Sequence, residues 1–436
     1  MGRKWKKRIA IGLACLGVLA VGGVAAGRYA QGSALRGFTD GRLEAADYWD
    51  DEPSILSAGL GFDNIIGLPE LTKKTVRGAG GAWYGGLTCA SGQAPETSAR
   101  TSAATVDTIK RGYRGYADYD DGLPIVFSWP VATETADPTD FRFTLNTGEV
   151  VFPHAAGLNP NWEDNERNTV VAFGDFGNRR KHGEDGARFP VKLQIVRDAT
   201  PLTLVGPGGK EASAVGLTWT TTTSGYDSGP TLVGAKLNRA GGHAAGEGGV
   251  PVMDRFGYLP NDEFALYGKD FARDGKAAFR LRVLTTGGFS PDGVTGLRPD
   301  MYQDFFRLHA TGHNGETVLL AKTGVTYHLA GGTLRVLGLS DLGRAENHQD
   351  GVYYDDCYRE DRDNYIDIIL VGDEAAARHV TAVEIPSLPG GYHAFYNPGG
   401  PGPEPFPGVR YSAPGPPDLQ PVTIALDDPM RVSRNP

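Results

Sequence analysis

Cysteine is scarce in this sequence: Cys15, Cys89 and Cys357 are all there is in 436 residues. That excludes a disulfide-dense miniature scaffold and a four-cysteine zinc site. Nucleophile and phosphate-loop motifs are missing too. There is no G-x-S-x-G elbow and no G-x-x-x-x-G-K-[ST] loop. Long amphipathic helices are also lacking. Only Asp373 to Val380, "DEAAARHV", reads as a helix, with acids in its first turn and Arg378 and His379 near its end. Positive charge is short as well, with a formal net charge of −9. An acidic surface repels nucleic acids and anionic membranes, so no nucleic-acid partner is expected.

A dense cationic cluster stands at the start. Arg3, Lys4, Lys6, Lys7 and Arg8 precede an uncharged run from Ile9 to Gly27. This is the order of an export signal, with small residues at Val24-Ala25-Ala26 for cleavage. Left uncleaved, the run is near the lower limit for spanning a bilayer and would anchor the chain. A lipid-modified Cys15 fits less well, because Gly12 stands where a large aliphatic residue is expected. In each case the rest of the chain lies outside the cytoplasm, in the periplasm, on the cell surface or secreted, and touches membrane only through its N-terminal segment. Cys89 and Cys357 then sit in an oxidising compartment and read as one disulfide.

Glycine is abundant, 62 residues, and many short apolar runs alternate with polar residues between turns. Phe141, Phe143 and Leu145 alternate with Arg142 and Thr144. Asn146-Thr147-Gly148 then turns into Glu149 to Phe152, which makes a hairpin. Val191, Leu193 and Ile195 alternate with Lys192 and Gln194. These patterns predict an all-β, mainly antiparallel fold with two β-sandwich-like domains. The expected layout is 1–33 signal peptide or anchor, 34–120 irregular and turn-rich, 121–220 first sandwich, 221–385 second β-rich domain, and 386–436 a strap with a closing strand. The strap holds eleven of the 29 prolines between Pro386 and Pro421, which rules out a central strand or a helix there.

The order "FSWPV…DPTDFRFTL…GEVV…NTVVAF…FPVKLQIV" resembles the bacterial immunoglobulin-like modules of surface and exported proteins. The resemblance covers about 80 residues, Leu123 to Leu204, and departs from the usual pattern in the charged insert 177–188. Such modules act as spacers or binding units and carry no catalytic set, so the resemblance implies no functional residues.

The densest chemistry in the sequence is "YYDDCYREDRDNYIDIILVG". Asp355, Asp356, Glu360, Asp361, Asp363 and Asp367 could supply the oxygen ligands of a hard cation such as Ca2+. Asp361, Asp363, Tyr365 and Asp367 share one side of an extended chain. The EF-hand template fails, since Ile366 falls where glycine is required. The competing readings are a solvated loop guarding a sticky strand, and an acid/base pair. His309 and His313 have zinc-like i, i+4 spacing, but Gly312 and the Asn314-Gly315 turn argue against the helix that spacing needs. Tyrosines near these acids could stack on sugar rings. The leading expectation is an exported, non-catalytic envelope protein that binds a small-molecule or glycan ligand or has a structural role. The rival is a secreted hydrolase using carboxylates of the 355–367 cluster on a glycan or phosphoester.

Overall fold

The computed structural model describes residues 48–427, apart from 160–166, 226–230, 241–266, 271–276, 288–296, 341–363, 387–416 and shorter gaps at 60, 82, 84, 87, 90–91, 93–96, 98–99, 179, 181 and 268–269. Everything below concerns the described residues, which belong to a compact unit from Leu43 to Pro436.

The chain opens with β1 (Ile55–Ala58), β2 (Phe62–Leu68), α1 (Lys73–Gly78), β3 (Ala104–Thr105), α2 (Val106–Gly112) and β4 (Arg114–Gly115). Next come β5 (Asp120–Phe127), β6 (Phe141–Leu145), β7 (Val150–Val151), β8 (Ala155–Gly157), β9 (Thr169–Gly174) and β10 (Pro190–Ile195). Then follow β11 (Thr203–Gly206), β12 (Lys210–Ser213) and β13 (Thr218–Thr220). The later half holds β14 (Leu232–Ala240), β15 (Ala277–Thr285), α3 (Tyr302–Phe305), β16 (Arg307–Thr311), β17 (Thr317–Leu320) and β18 (Thr326–Leu329). It ends with β19 (Gly332–Ser340), β20 (Tyr365–Gly372), α4 (Glu374–Ala377), β21 (Val380–Ile385), β22 (Asp418–Pro421) and β23 (Thr423–Ile424). The fold is all-β and mostly antiparallel, as its alternating patterns predict. Among the described residues the parallel ladders are β2 with β3 and β14 with β23.

Two pairs of sheets make two sandwiches. In the first, a sheet ordered β3-β2-β5-β9-β8-β4 faces one ordered β13-β10-β6-β7. Ile125, Phe127, Val170 and Ala172 from one sheet meet Phe141, Phe143, Leu193 and Ile195 from the other. Period-two alternation puts these residues on one face of each strand. Burying a phenylalanine such as Phe141 or Phe143 contributes roughly 1.5–3 kcal/mol. The predicted 141–152 hairpin is present, with Phe143 opposite Val151 and Gly148 at φ 86° in its turn. In the second sandwich, β18-β19-β20-β15-β14-β23 faces β17-β16-β21-β22. Leu281, Val283, Ile368 and Leu370 pack there against Leu308, Val383 and the α3 residues Tyr302 and Phe305. Trp49, Val126, Leu284 and Tyr365 form a small apolar cluster joining the sandwiches.

The stretch 34–120 contains more regular structure than its turn-rich sequence suggests. β1 and β2 pair with successive parts of β5, and α1 and α2 cover the outer face of that sheet through Val76 and Ile109. Gly61, Asn64 and Gly67 interrupt the alternation here, so the strands owe their existence to the neighbouring β5 ladder. The 387–416 part of the strap and residues 1–47 lie outside the described residues. No helix among the described residues is long and apolar enough to cross a membrane.

Candidate functional site

At the start of β5 two carboxylates follow each other in the chain and point different ways. Opposite them β2 carries an irregularity: Phe62 pairs with Gly122 and Ile66 with Asp120, so β2 has extra residues between these points. The excess pushes Asp63 and Asn64 outward. Asn64 takes φ 62° and Tyr119, one residue before β5, takes φ 54°. They are the positive-φ non-glycine residues among those described. Asparagine tolerates that region; for tyrosine it costs strain, and such strain clusters at functional sites.

The irregularity aims backbone donors at Asp121. Its Oδ1 accepts from the Asn64 N–H at 2.8 Å. Its Oδ2 accepts from the N–H groups of Phe176 at 2.7 Å and Gly177 at 3.1 Å. Gly177 sits at φ 131°, and a Cβ there would come within 2.0 Å of the Arg188 carbonyl oxygen, so only glycine brings this N–H to Asp121. Burial pushes the Asp121 carboxyl well above the usual range, and the nearby Asp63 charge and a side-chain hydrogen bond with Asp63 push it further. The backbone donors pull the other way and are outweighed. Asp63 and Asp121 therefore sit beside each other as a carboxyl pair in which Asp121 is the raised member.

Asp120 lies on the other side of the strand. Both its oxygens are within 2.9–3.0 Å of His154 Nδ1. Its carboxyl is raised by burial, with the His154 hydrogen bond opposing that effect. Asp118, Asp120, Asp121, Asp63, His154 and Asp175 together line an open cleft of about 640 Å3. Arg188 holds Asp175 at 2.6 Å and Glu149 at 2.9 Å, tying the cleft wall to the 146–149 turn.

Asp63, Asp121 and Gly177 also line a second, smaller cavity of about 230 Å3. This one reaches from the end of the first sandwich to Thr231 and Thr286 beside the second. Its walls mix Phe62, Phe176, Phe189 and Trp219 with Ser57, Asn178, Thr221, Thr223 and Ser224. A few polar groups among apolar walls are the usual make-up of small-ligand sites.

The predicted cation ligands fare differently. Asp355, Asp356, Glu360, Asp361 and Asp363 lie outside the described residues, as does Cys357, the expected partner of Cys89. Asp367 is described, and it is buried in β20. Arg282 of β15 grips both its oxygens, at 3.0 Å each, and stacks 5.4 Å over the Tyr365 ring. Tyr365 and Asp367 do share one side of the strand, as alternation predicts. Among the described residues no group of three or more His, Cys, Asp or Glu side chains is placed to hold a metal ion. His309 is on strand β16 and binds Glu384 across the ladder to β21, while His313 is in the following turn.

Asp63, Asp118, Asp120 and Asp121 belong to no spacing motif that marks a site in the sequence. The available signals were "DYDDG", a dense acidic entry into an apolar strand, and "FDNII", where Asp-Asn breaks a strand pattern. Comparison of the chain with protein-family models, with curated proteins and with solved structures yields no match.

Proposed function

We propose that this chain is an exported, non-catalytic β-sandwich protein of the cell envelope that binds a small ligand in the cavity between Trp219 and the Asp63–Asp121 pair. The observation that carries this reading is the cavity itself. Aromatic walls, hydroxyl and amide groups and the Asp63 and Asp121 carboxyls converge on about 230 Å3 at the junction of the two sandwiches. The N-terminal basic-then-apolar order supports export, and the sandwich architecture supports a binding or spacer role of the immunoglobulin-like kind. A fragment screen read by thermal shift tests the reading. Compounds that raise the melting temperature of the wild type should lose their effect in Thr223→Trp, which fills the cavity from its exposed rim. If no compound distinguishes the two proteins, the cavity is not a ligand site.

One observation favours a second reading, a secreted hydrolase. Two neighbouring carboxyl groups on the wall of an open cleft, one of them raised by burial, are the residue types of an acid/base pair. Measurable turnover of any ester, amide or phosphoester probe that disappears in Asp121→Asn would replace the binding reading with this one.

Export and the Cys89–Cys357 bridge are tested together by intact mass. The protein recovered from the cell envelope should lack its first 26 or so residues and gain two hydrogens on reduction. A full-length mass, unchanged by reductant, would remove both cleavage and the bridge.

A further inference from the structure

We propose that the junction cavity is a subsite for one neutral pyranose ring, seated against Trp219 with its hydroxyl groups donating to Asp63. This rests on the reading of the cavity as a ligand site. It adds the chemical class of the ligand and the residues that select it.

Size comes first. At about 230 Å3 the cavity falls below the roughly 300–1,000 Å3 of pockets for drug-sized molecules. It has room for one ring. Polarity comes next. A pyranose has an apolar C–H face and a rim of hydroxyl groups. The cavity offers Trp219 and Phe62 for the face, and Ser57, Asn178 and Thr221 for the rim. An aromatic side chain beside hydrogen-bonding partners suits such a two-sided molecule. A purely apolar ligand would leave these hydroxyl and amide groups without water.

Charge separates a sugar from a cation. The cavity holds two carboxyl groups, Asp63 and Asp121, and the Asp63 charge helps to raise the Asp121 carboxyl. Asp121 is already engaged by three backbone N–H groups. A carboxylate has about four acceptor positions, so Asp121 has little left to give. Asp63 is the carboxylate through which the cavity meets a ligand. A hydroxyl donating to a carboxylate makes a short, charge-assisted bond. The acids that would attract a polycation, Asp118, Asp120 and Asp175, lie in the neighbouring cleft and not in this cavity. That cleft continues past Asp63 and Asp121. The ring is therefore either a free monosaccharide or the end residue of a glycan whose remainder lies in the cleft.

The test uses the full-length chain and isothermal titration calorimetry. The probes are D-glucose, D-galactose, D-mannose and N-acetyl-D-glucosamine, a β-linked tetrasaccharide of each, and putrescine as the cation. At least one sugar should saturate the protein and shift its tryptophan fluorescence. Trp219→Ala and Asp63→Asn should each weaken that sugar on the order of tenfold or more. Trp219→Phe, which keeps an aromatic wall, should weaken it less, and guards against a folding defect in the alanine variant. A tetrasaccharide that binds tighter than its monosaccharide identifies a glycan as the source; equal binding identifies the free sugar. The proposal is overturned if putrescine binds and no sugar does, or if no sugar binds while screened fragments still distinguish wild type from Thr223→Trp. In both of those outcomes the ligand site itself survives. It falls as well if nothing distinguishes those two proteins.

Discussion

Arg282→Met should lower the stability of this protein by about 3–5 kcal/mol, the largest effect we expect from a single substitution. Arg282 and Asp367 are each 1% exposed, on adjacent central strands of the second sandwich. Their register places them directly opposite each other. Two parallel hydrogen bonds of 3.0 Å join guanidinium and carboxylate. Taking both charges out of water is costly, and good geometry roughly offsets that cost. Removing one partner leaves the other charge buried. Arg280, whose Nε is 3.9 Å from Asp367, gives only partial relief because it does not replace the forked contact. Asp367→Leu should be comparably damaging, since it removes the carboxylate that takes two hydrogen bonds from the buried Arg282. The double variant Arg282→Met/Asp367→Leu should recover a large part of the loss. Urea denaturation of the three variants checks this. A double variant no more stable than the singles would show that the pair does not act as a unit.

The second large effect is on pH dependence, and it centres on Asp140. This residue is fully buried where the turn at 138–140 leads into β6. Its oxygens accept from the Asp137 N–H at 2.8 Å and the Leu202 N–H at 3.2 Å, so one carboxyl joins the start of β6 to the approach of β11. Burial pushes it up to about 7, with the Asp198 and Asp137 charges adding to the rise and the two backbone donors opposing it. In the unfolded chain the same group titrates near 4. Between these values the folded protein binds the extra proton. Asp140's contribution is thus complete below about pH 4 and is lost as pH rises through about 7. The loss between pH 5 and 8 should be roughly 2–4 kcal/mol. Asp120, Asp121 and Asp418 are also raised, burial being the first cause in each, so their contributions have the same sign. Asp140→Asn should flatten the curve by its own share. Denaturation midpoints at pH 5, 6, 7 and 8 decide the matter. An Asp140→Asn profile parallel to the wild type would assign the pH dependence to other groups.

The strands were legible because their pattern is local. Phe141-Arg142-Phe143-Thr144-Leu145 can bury one face only as an extended chain, and Gly148 fixes where it turns back. The same logic placed Tyr365 and Asp367 on one side of β20. The candidate site was not legible in this way. Asp63 and Asp121 are 58 positions apart in the sequence, and neither belongs to a motif. The extra residues in β2 bring them together, and that irregularity exists only once β2 pairs with β5. The 355–367 acids drew attention because they crowd together along the chain. Of these, the one described residue, Asp367, faces Arg282 inside the protein.

The sequence alone determined that this protein is built mainly from antiparallel sheets, because alternation and turn chemistry act over a few neighbouring residues. Tertiary structure decided which carboxylates meet, which is neutralised by an arginine and which lines a cavity. Those outcomes depend on burial and on the register between distant strands, and neither is written in the spacing of residues along the chain.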